Sequence, residues 1–356
     1  MALLSPLKIR AKTDSGNRTT RQLSARYSLR LVLFHQLQRK TSMRIQELTN
    51  AKRFFLSDGG LETYMLFEKG YDLPCFSAAV LLDCEPGRRD LTEYFERFIG
   101  IARQSNRGFI LDAPTWRAGT AWAGPLGQTL LEVIETNKRA VAFVSDIRDQ
   151  QETSGSPILI NGLVGPAGDA YAPDTMLAPQ DALLIHAPQV HALGKAGVDM
   201  ISAMTLTHAG EAIGIVQAAK EIDIPVVIAF TLETDGCLPS GQSLGDAIAE
   251  VDAATNGGPI YYMINCAHPD HFRDVIDTSE AWTLRIGGLR ANASRMSHAE
   301  LDEAEVLDAG DPVELGQLSA ELLALLPNIR VIGGCCGTDH RHVSCIAGHD
   351  HARSAA

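Results

Sequence analysis

Eight short apolar segments recur from Phe54 onward, each followed by a turn and then by a longer segment with helical periodicity. Segments of this length and composition are typical of buried strands. The predicted strands are Phe54–Ser57, Gly108–Leu111, Pro157–Leu163, Val198–Met204, Pro225–Phe230, Pro259–Ile264, Leu284–Leu289 and Arg330–Ile332. The predicted helices between them include Leu91–Asn106, Gly127–Glu152, Asp181–Ala196, Ala209–Glu221, Ser243–Thr255 and Asp311–Leu326.

This alternation of strands and helices predicts a parallel sheet, because parallel strands need long crossover connections. Eight such units fit a single (β/α)8 TIM barrel, in which the sheet closes without an exposed edge. The alternative is an open, doubly wound sheet. A dinucleotide-binding sheet of that kind would carry Gly-x-Gly-x-x-Gly after its first strand, whereas Ser57–Glu62 reads Ser-Asp-Gly-Gly-Leu-Glu. We therefore expect an α/β protein with a barrel fold.

The first part of the chain differs in charge from the rest. Residues 1–42 hold nine Lys or Arg and one acid, Asp14, for a net charge of +8; since the whole chain carries −12, the remainder carries −20. We predict a basic leader over 1–42, a barrel over 43–348 and a tail over 349–356. The leader is interpreted as disordered or as an over-extended start before Met43, with an organellar transit peptide as the alternative.

The acidic body bears on partners and location. A body with this charge has no general attraction for nucleic acid or for an anionic membrane surface, so small molecules are the expected partners. The sequence has no run of about 18 apolar residues, the length needed to span a bilayer. Residues 1–42 also lack the features of a secretory signal. We expect a cytoplasmic protein, with organellar import as the lesser alternative, and the sequence leaves the oligomeric state open.

Three of the seven cysteines follow predicted strands. Cys335 and Cys336 lie in Gly-Gly-Cys-Cys-Gly after the last strand, and Cys266 follows the sixth strand. Because the carboxyl ends of all barrel strands open onto one face, these three thiols can converge. Three protein ligands with one open position are typical of a catalytic zinc site, whereas structural zinc normally has four. The alternative is that they are unrelated buried cysteines, which are common in cores.

Four motifs in order resemble the homocysteine S-methyltransferase family, including its betaine- and S-methylmethionine-dependent members. They are Asp58–Thr63 (Asp-Gly-Gly-Leu-Glu-Thr), Gly162–Pro166 (Gly-Leu-Val-Gly-Pro), Asn265–Cys266 and Gly333–Gly337 (Gly-Gly-Cys-Cys-Gly). The resemblance extends from about residue 50 to 347. It implies a barrel in which Cys266, Cys335 and Cys336 hold zinc (Zn²⁺).

The resemblance also implies an activity. The thiol of homocysteine would take the open position on zinc, which favours the nucleophilic thiolate. A sulfonium or quaternary ammonium donor such as S-methylmethionine or betaine would supply the methyl group, and methionine would form. No organic cofactor is implied, because the positive charge of the donor allows the rest of the molecule to depart easily as a neutral leaving group.

Further residues are implied as substrate contacts. Asp58 would receive the ammonium group of the thiol substrate, and the backbone N–H groups of Gly59 and Gly60 would receive its carboxylate. Without the resemblance, a turn or a helix cap would be the favoured interpretation of an Asp before two glycines. Thr115 is a candidate substrate contact, with Trp116 as an aromatic wall or as ordinary packing.

One position departs from the family pattern. The family commonly has a Glu after the fourth strand that holds the substrate ammonium group, and the matching residue here is Met204. Either another acid such as Glu233 replaces it, or the acceptor is a thiol other than homocysteine. Two other functions therefore stay open: metal-assisted hydrolysis, and a redox or metal sensor that uses the Cys335–Cys336 pair.

The histidines are interpreted without metal roles. Three thiolates already suffice for the site, so His268 is predicted to be a loop residue at its rim. His340 and His342 follow the Cys-Cys turn and are predicted to cap or flank the last helix.

Overall fold

A closed barrel of eight parallel strands, in the order β1 to β8, forms the centre of the protein. The structure is a computed structural model and describes residues 44–173 and 175–349. The strands are β1 (Phe55–Leu56), β2 (Phe109–Ala113), β3 (Ile158–Val164), β4 (Met200–Leu206), β5 (Val226–Phe230), β6 (Tyr262–Asn265), β7 (Ile286–Ala291) and β8 (Val331–Gly334). Each overlaps one of the eight predicted strands, and the barrel prediction is confirmed over the open sheet.

Helices surround the barrel. The longer ones are α1 (Glu85–Gln104), α2 (Leu130–Gln151), α3 (Pro179–Ala196), α4 (Ala209–Glu221), α5 (Leu244–Thr255), α6 (Pro312–Leu325) and α7 (His340–His349). Short helical segments are Leu61–Thr63, Tyr64–Glu68, Pro74–Phe76, Ala78–Asp83, Thr120–Trp122, Pro269–Phe272, Arg273–Val275, Ala281–Arg285 and His298–Asp302. The six predicted helices correspond to α1 through α6.

Helix boundaries follow local sequence signals. The side chain of Thr129 accepts from the backbone N–H of Glu132, and the Glu132 side chain accepts from Thr129, so a capping box begins α2. Gly197 ends α3 at φ 99°, a left-handed conformation that glycine adopts without strain. Helix α1 begins at Glu85, before the predicted Leu91, because Pro86 fits the first turn of a helix.

Apolar side chains inside the barrel form a core separate from the layer between strands and helices. Leu48, in the helical segment 44–49 before β1, is fully buried in this inner core. The inner core comprises Leu48, Phe55, Ile110, Leu159, Met200, Met204, Val227, Ala229, Tyr261, Met263 and Val331. Several of these are among the first residues of their strands, so segment 44–49 packs against the amino-terminal end of the barrel.

The predicted leader 1–42 lies outside the described residues, as does the part of the predicted tail beyond residue 349. The boundaries proposed at residues 43 and 348 therefore stay predictions. Helix α7 continues to His349, the first residue of the predicted tail. Over the residues that are described, no helix is both long enough and apolar enough to cross a membrane.

Candidate metal centre and substrate cavity

One cavity of about 460 Å³ opens at the carboxyl ends of the barrel strands. This is the face on which barrel enzymes build their active sites. Residues that end or follow six different strands contribute to its wall: Asp58, Asp112, Met204, Cys266, Arg290 and Cys335. The position of the site therefore follows directly from strand polarity.

The three predicted thiols meet in this cavity. The Sγ atom of Cys266 lies 2.8 Å from that of Cys335 and 3.6 Å from that of Cys336. Cys266 adopts φ 56°, an uncommon left-handed conformation for a residue with a side chain, directly after β6. An uncommon backbone conformation at this point indicates a position on which the site depends.

The donor set fits a zinc ion. All three sulfur atoms lie within 4.8 Å of one another. Sulfur ligands at about 2.3 Å from a tetrahedral zinc lie about 3.8 Å apart. The Cys266–Cys336 separation of 3.6 Å is close to this value, whereas Cys335, at 2.8 Å from Cys266, would have to move away from it to bind the same ion. Hydrogen bonds from Cys266 and Cys336 hold the pKa of Cys335 well below its usual range, so the cluster already favours one thiolate. Three sulfur donors leave one position for a further ligand.

The Asp-Gly-Gly turn packs directly against the Cys-Cys loop. The N–H of Gly334 donates to the carbonyl of Asp58 at 2.9 Å, and the N–H of Gly60 donates to Thr338 at 3.0 Å. A Cβ atom on Gly60 would lie 2.7 Å from the carbonyl oxygen of Cys335, and one on Gly59 would lie 2.6 Å from that of Thr338. Glycine at both positions permits this approach. The Gly60 N–H, expected to receive a substrate carboxylate, is engaged by the protein itself.

Asp58 belongs to a buried ion cluster. Its carboxylate and that of Asp112 both pair with the guanidinium of Arg290, at the end of β7. Asp58 and Asp112 are each 2% exposed and Arg290 is 7% exposed. The Arg290 Nε–H also donates to the carbonyl of Gly334 at 2.9 Å. Arg290 therefore already occupies the carboxylate that was expected to receive a substrate ammonium group.

Glu62 is the other acid of the first turn that faces the cavity. Its side chain is partly buried, and burial raises its pKa to about 7. Within residues 44–173 and 175–349, no other residue makes a hydrogen bond or ion pair with its carboxylate. The sequence motif contained Glu62, but no role was predicted for it.

Thr115 is buried and lies outside the residues that line the cavity. Its hydroxyl donates to the carbonyl of Leu163 at 2.7 Å, which ties the turn after β2 to β3. The next residue, Trp116, lines the cavity instead, and its indole N–H donates to the carbonyl of Met204 at 3.1 Å. The aromatic wall is therefore present where expected, without a contribution from Thr115.

Met204 lines the cavity, and Glu233 does not. The Glu233 carboxylate contacts Nδ1 of His298 at 3.0 Å, and Nε2 of His298 lies 2.8 Å from the carbonyl of Cys266. Glu233 thus reaches the thiol cluster only through His298. The position suggested for a replacement acid is already used in supporting the backbone of Cys266.

None of the three predicted histidines is among the residues that line the cavity. The His268 ring accepts from the N–H of Asp270 at 3.2 Å and caps the helix Pro269–Phe272, and burial lowers its pKa to about 4. His340 begins α7, and the His342 ring contacts Asp339 at 3.0 Å within the same segment. Among the described residues, the candidate metal group comprises the three cysteines and no histidine.

Two aromatic and cationic contacts were not predicted. The hydroxyl of Tyr171, in the loop after β3, lies 3.2 Å from the Sγ of Cys266. Arg117 stacks over Trp116 and Trp122, with its guanidinium carbon 4.1 and 3.9 Å from the ring centroids.

Arg290 and Asp112 could have been identified from the sequence as candidate site residues, because they are charged residues at the ends of apolar strands. Tyr171 lies in an irregular loop with no periodic signal.

Fold and site together define the class: a (β/α)8 barrel with a cavity and three converging thiols at the carboxyl ends of its strands. The profile of the homocysteine S-methyltransferase family matches residues 55–349. The chain belongs to this family and is a methyltransferase.

Solved structures of the homocysteine methyltransferase MmuM from Escherichia coli share the fold. The oxidized form is 20% identical, with a TM-score of 0.66 over 86% of this chain and 99% of that chain. The metallated form is 18% identical, with a TM-score of 0.64 over 84% and 97%. The apo form is 18% identical, with a TM-score of 0.60 over 86% and 99%. No curated protein shows significant similarity to the chain.

Proposed function

We propose that this methyltransferase moves a methyl group from a sulfonium or quaternary ammonium donor to the thiol of homocysteine or a related thiol. With homocysteine the product is methionine. The convergence of Cys266, Cys335 and Cys336 in the cavity carries the proposal. In the transfer, the acceptor sulfur forms a bond to the methyl carbon, the thiol proton passes to solvent, and the donor leaves as a neutral thioether or tertiary amine.

Zinc is the metal we propose for the three cysteines. A bound zinc ion would lower the pKa of the acceptor thiol and favour the thiolate, which is the nucleophilic form. Three thiolate ligands also place much negative charge on the metal, which suits activation of a thiol better than activation of water. The E. coli methyltransferase MmuM has been solved in a metallated form, which supports a metal in this fold.

The cavity wall suits a cationic methyl donor. Its apolar side chains exclude water from the reacting groups, and they include Leu66, Phe67, Phe76, Trp116 and Met204. Trp116 and Tyr171 also line the cavity. Arg117 covers one face of Trp116 and His298 stacks on Tyr171, so a cation–π contact to a positively charged donor would use the opposite ring faces. Exclusion of water strengthens these attractions and protects the thiolate from competing proton transfer.

The test is methyl transfer by zinc-loaded protein. The protein is incubated with homocysteine and, separately, with S-methylmethionine, betaine, dimethylsulfoniopropionate or S-adenosylmethionine, and methionine is measured. We expect about one zinc per chain and methionine from one of these donors. Cys336→Ala should lose both zinc and activity, because two thiols cannot complete the donor set.

Cys345→Ala is the matched control. Cys345 lies in α7 and does not line the cavity, so its removal should leave zinc content and turnover unchanged. An active Cys336→Ala protein would contradict the proposal. A Cys335–Cys336 disulfide that forms reversibly in air, with no turnover of any donor, would favour the redox sensor instead.

A further inference from the structure

The charged groups of the cavity wall differ in whether the protein already satisfies them. Asp58 and Asp112 pair with Arg290. Asp308 accepts from the hydroxyl of Ser294 at 2.6 Å and from the N–H of Gly310 at 3.0 Å. Asp169 accepts from the N–H groups of Tyr171 and Ala172 at 2.7 and 2.8 Å.

Asp302 is exposed at the end of the helix His298–Asp302. Glu62 is partly buried and has no such partner among the described residues.

Glu62 lines the same cavity as the three thiols and follows a turn that packs on the Cys-Cys loop. Gly60, two residues earlier, packs so closely on the Cys-Cys loop that an added Cβ would lie 2.7 Å from the Cys335 oxygen and 3.1 Å from the Cys336 Cα. In an amino-acid thiol such as homocysteine, about 5 Å separates the sulfur from the ammonium nitrogen. An acceptor whose sulfur lies at the thiol cluster therefore carries its ammonium group within the same small part of the cavity.

A carboxylate in this position would be stabilised by a cation. Removing it from water without a partner is unfavourable, and burial raises the pKa of Glu62 to about 7. A bound ammonium group would offset that penalty. Neither of the two positions considered on the later strands supplies an acid for the purpose, because Met204 is apolar and Glu233 contacts His298 outside the cavity.

We propose that Glu62 binds the α-ammonium group of the acceptor and thereby selects amino-acid thiols over thiols that lack an amino group. The inference rests on the proposed thiol acceptor. It assigns to the first turn of the barrel the task that Met204, on the fourth strand, cannot perform.

The test is a binding measurement by isothermal titration calorimetry on zinc-loaded protein. Two thiols are compared: homocysteine and 4-mercaptobutyrate, which has the same chain and carboxylate but no ammonium group. A charge-assisted contact of this kind predicts that wild type prefers homocysteine by about 10- to 100-fold. Glu62→Gln should remove the preference while leaving the affinity for 4-mercaptobutyrate unchanged.

Two further variants separate a specific contact from general damage. Glu68→Gln removes the same charge from an exposed position on the adjacent segment Tyr64–Glu68, outside the cavity, and should keep the preference. The double variant Glu62→Gln/Met204→Glu places a carboxylate on β4, at another position that lines the cavity, and should recover most of the preference. Recovery by relocation is a result that a merely structural role of Glu62 does not predict.

Each contrary result has a distinct meaning. If wild type binds both thiols equally, the role of Glu62 is wrong while the thiol acceptor stands. If wild type binds neither thiol, the proposed function fails and this inference fails with it. If Glu62→Gln lowers the affinity for both thiols equally, or raises only the KM of the methyl donor, then Glu62 does not bind the ammonium group of the acceptor.

Discussion

At the scale of single residues, Arg290 connects several parts of the cavity wall through its ion pairs and hydrogen bonds. Its one guanidinium pairs with two buried carboxylates, those of Asp58 and Asp112, and its Nε–H donates to the loop that carries the cysteines. Unpaired buried charges are strongly destabilising, whereas paired ones contribute little net stability. Arg290 is therefore required because the two acids are present.

We predict that Arg290→Met lowers the free energy of unfolding by about 3–5 kcal/mol, measured by urea denaturation at pH 8. The loss should be smaller at pH 5. Burial raises the pKa of Asp58 to about 7 even beside Arg290, and removal of the guanidinium raises it further. A carboxyl whose pKa is higher in the folded than in the unfolded state costs stability as pH rises from about 4 through its folded pKa.

The control for this prediction removes the acids as well. Asp58→Asn and Asp112→Asn in the Arg290→Met background should recover part of the lost stability, because neutral amides replace the unpaired charges. If the single and triple variants unfold at the same urea concentration at both pH values, electrostatics does not explain the cluster.

Residue identities in the site were predictable where strand polarity decides them. Cys266, Cys335 and Cys336 could be placed together from the sequence, because each follows a strand and all strands point the same way. Thr115 and Trp116 could not be distinguished, since an irregular turn after β2 decides which side chain enters the cavity. Asp58 pairs with Arg290 and Glu233 with His298. Both partners are distant in the sequence, so no local pattern predicts these contacts.

At the scale of elements, the first turn and the Cys-Cys loop form one packed unit. Gly60 lies against Cys335 and Cys336, and the carbonyl of Asp58 accepts from Gly334. The turn therefore positions the loop that presents two of the three thiols. A change in this packing should disturb the three thiols, and with them the proposed metal site, before it disturbs the barrel.

We predict that Gly60→Ala weakens zinc binding by about 10- to 100-fold, the range seen when groups that position metal ligands are altered. The added Cβ would lie 2.7 Å from a backbone oxygen, so the loop must shift. Competition with a chelator of known affinity measures the effect, and circular dichroism shows whether the barrel persists. Wild-type zinc affinity in this variant would contradict the proposed coupling.

Gly100→Ala is the matched control. Gly100 lies in α1, and an added Cβ there meets no atom within 4 Å. Alanine in a helix is favoured over glycine by about 0.5–1 kcal/mol, so this variant should be as stable as wild type or more stable, with unchanged zinc affinity.

The order and type of elements were readable from sequence, but their boundaries were less so. Apolar periodicity located α4 to the residue because its ends coincide with the pattern. It placed the start of α1 too late, because the first turn, Glu85 to Arg88, carries no apolar stripe and depends on Pro86. Periodicity reports where a helix is buried, and a helix extends beyond its buried face.

At the scale of the whole molecule, the barrel is completed by residues that precede its first strand. Leu48 is fully buried in the inner core, and the Arg44 guanidinium pairs with Glu152 at 2.7 Å and donates to the carbonyl of Ile158 at 2.9 Å. The family profile begins only at residue 55. The sequence boundary at Met43, drawn from charge, keeps this segment with the barrel, whereas the family boundary separates them.

We predict that Leu48→Ala lowers the free energy of unfolding by about 2–5 kcal/mol, because it leaves a cavity in the inner core. Glu47→Ala, an exposed change on the same segment, should stay within about 0.5 kcal/mol of wild type. A chain that starts at Met43 should match wild type in urea denaturation, and a chain that starts at Phe54 should lose at least as much as Leu48→Ala. Equal stability of the two shortened chains would show that segment 44–49 does not support the barrel.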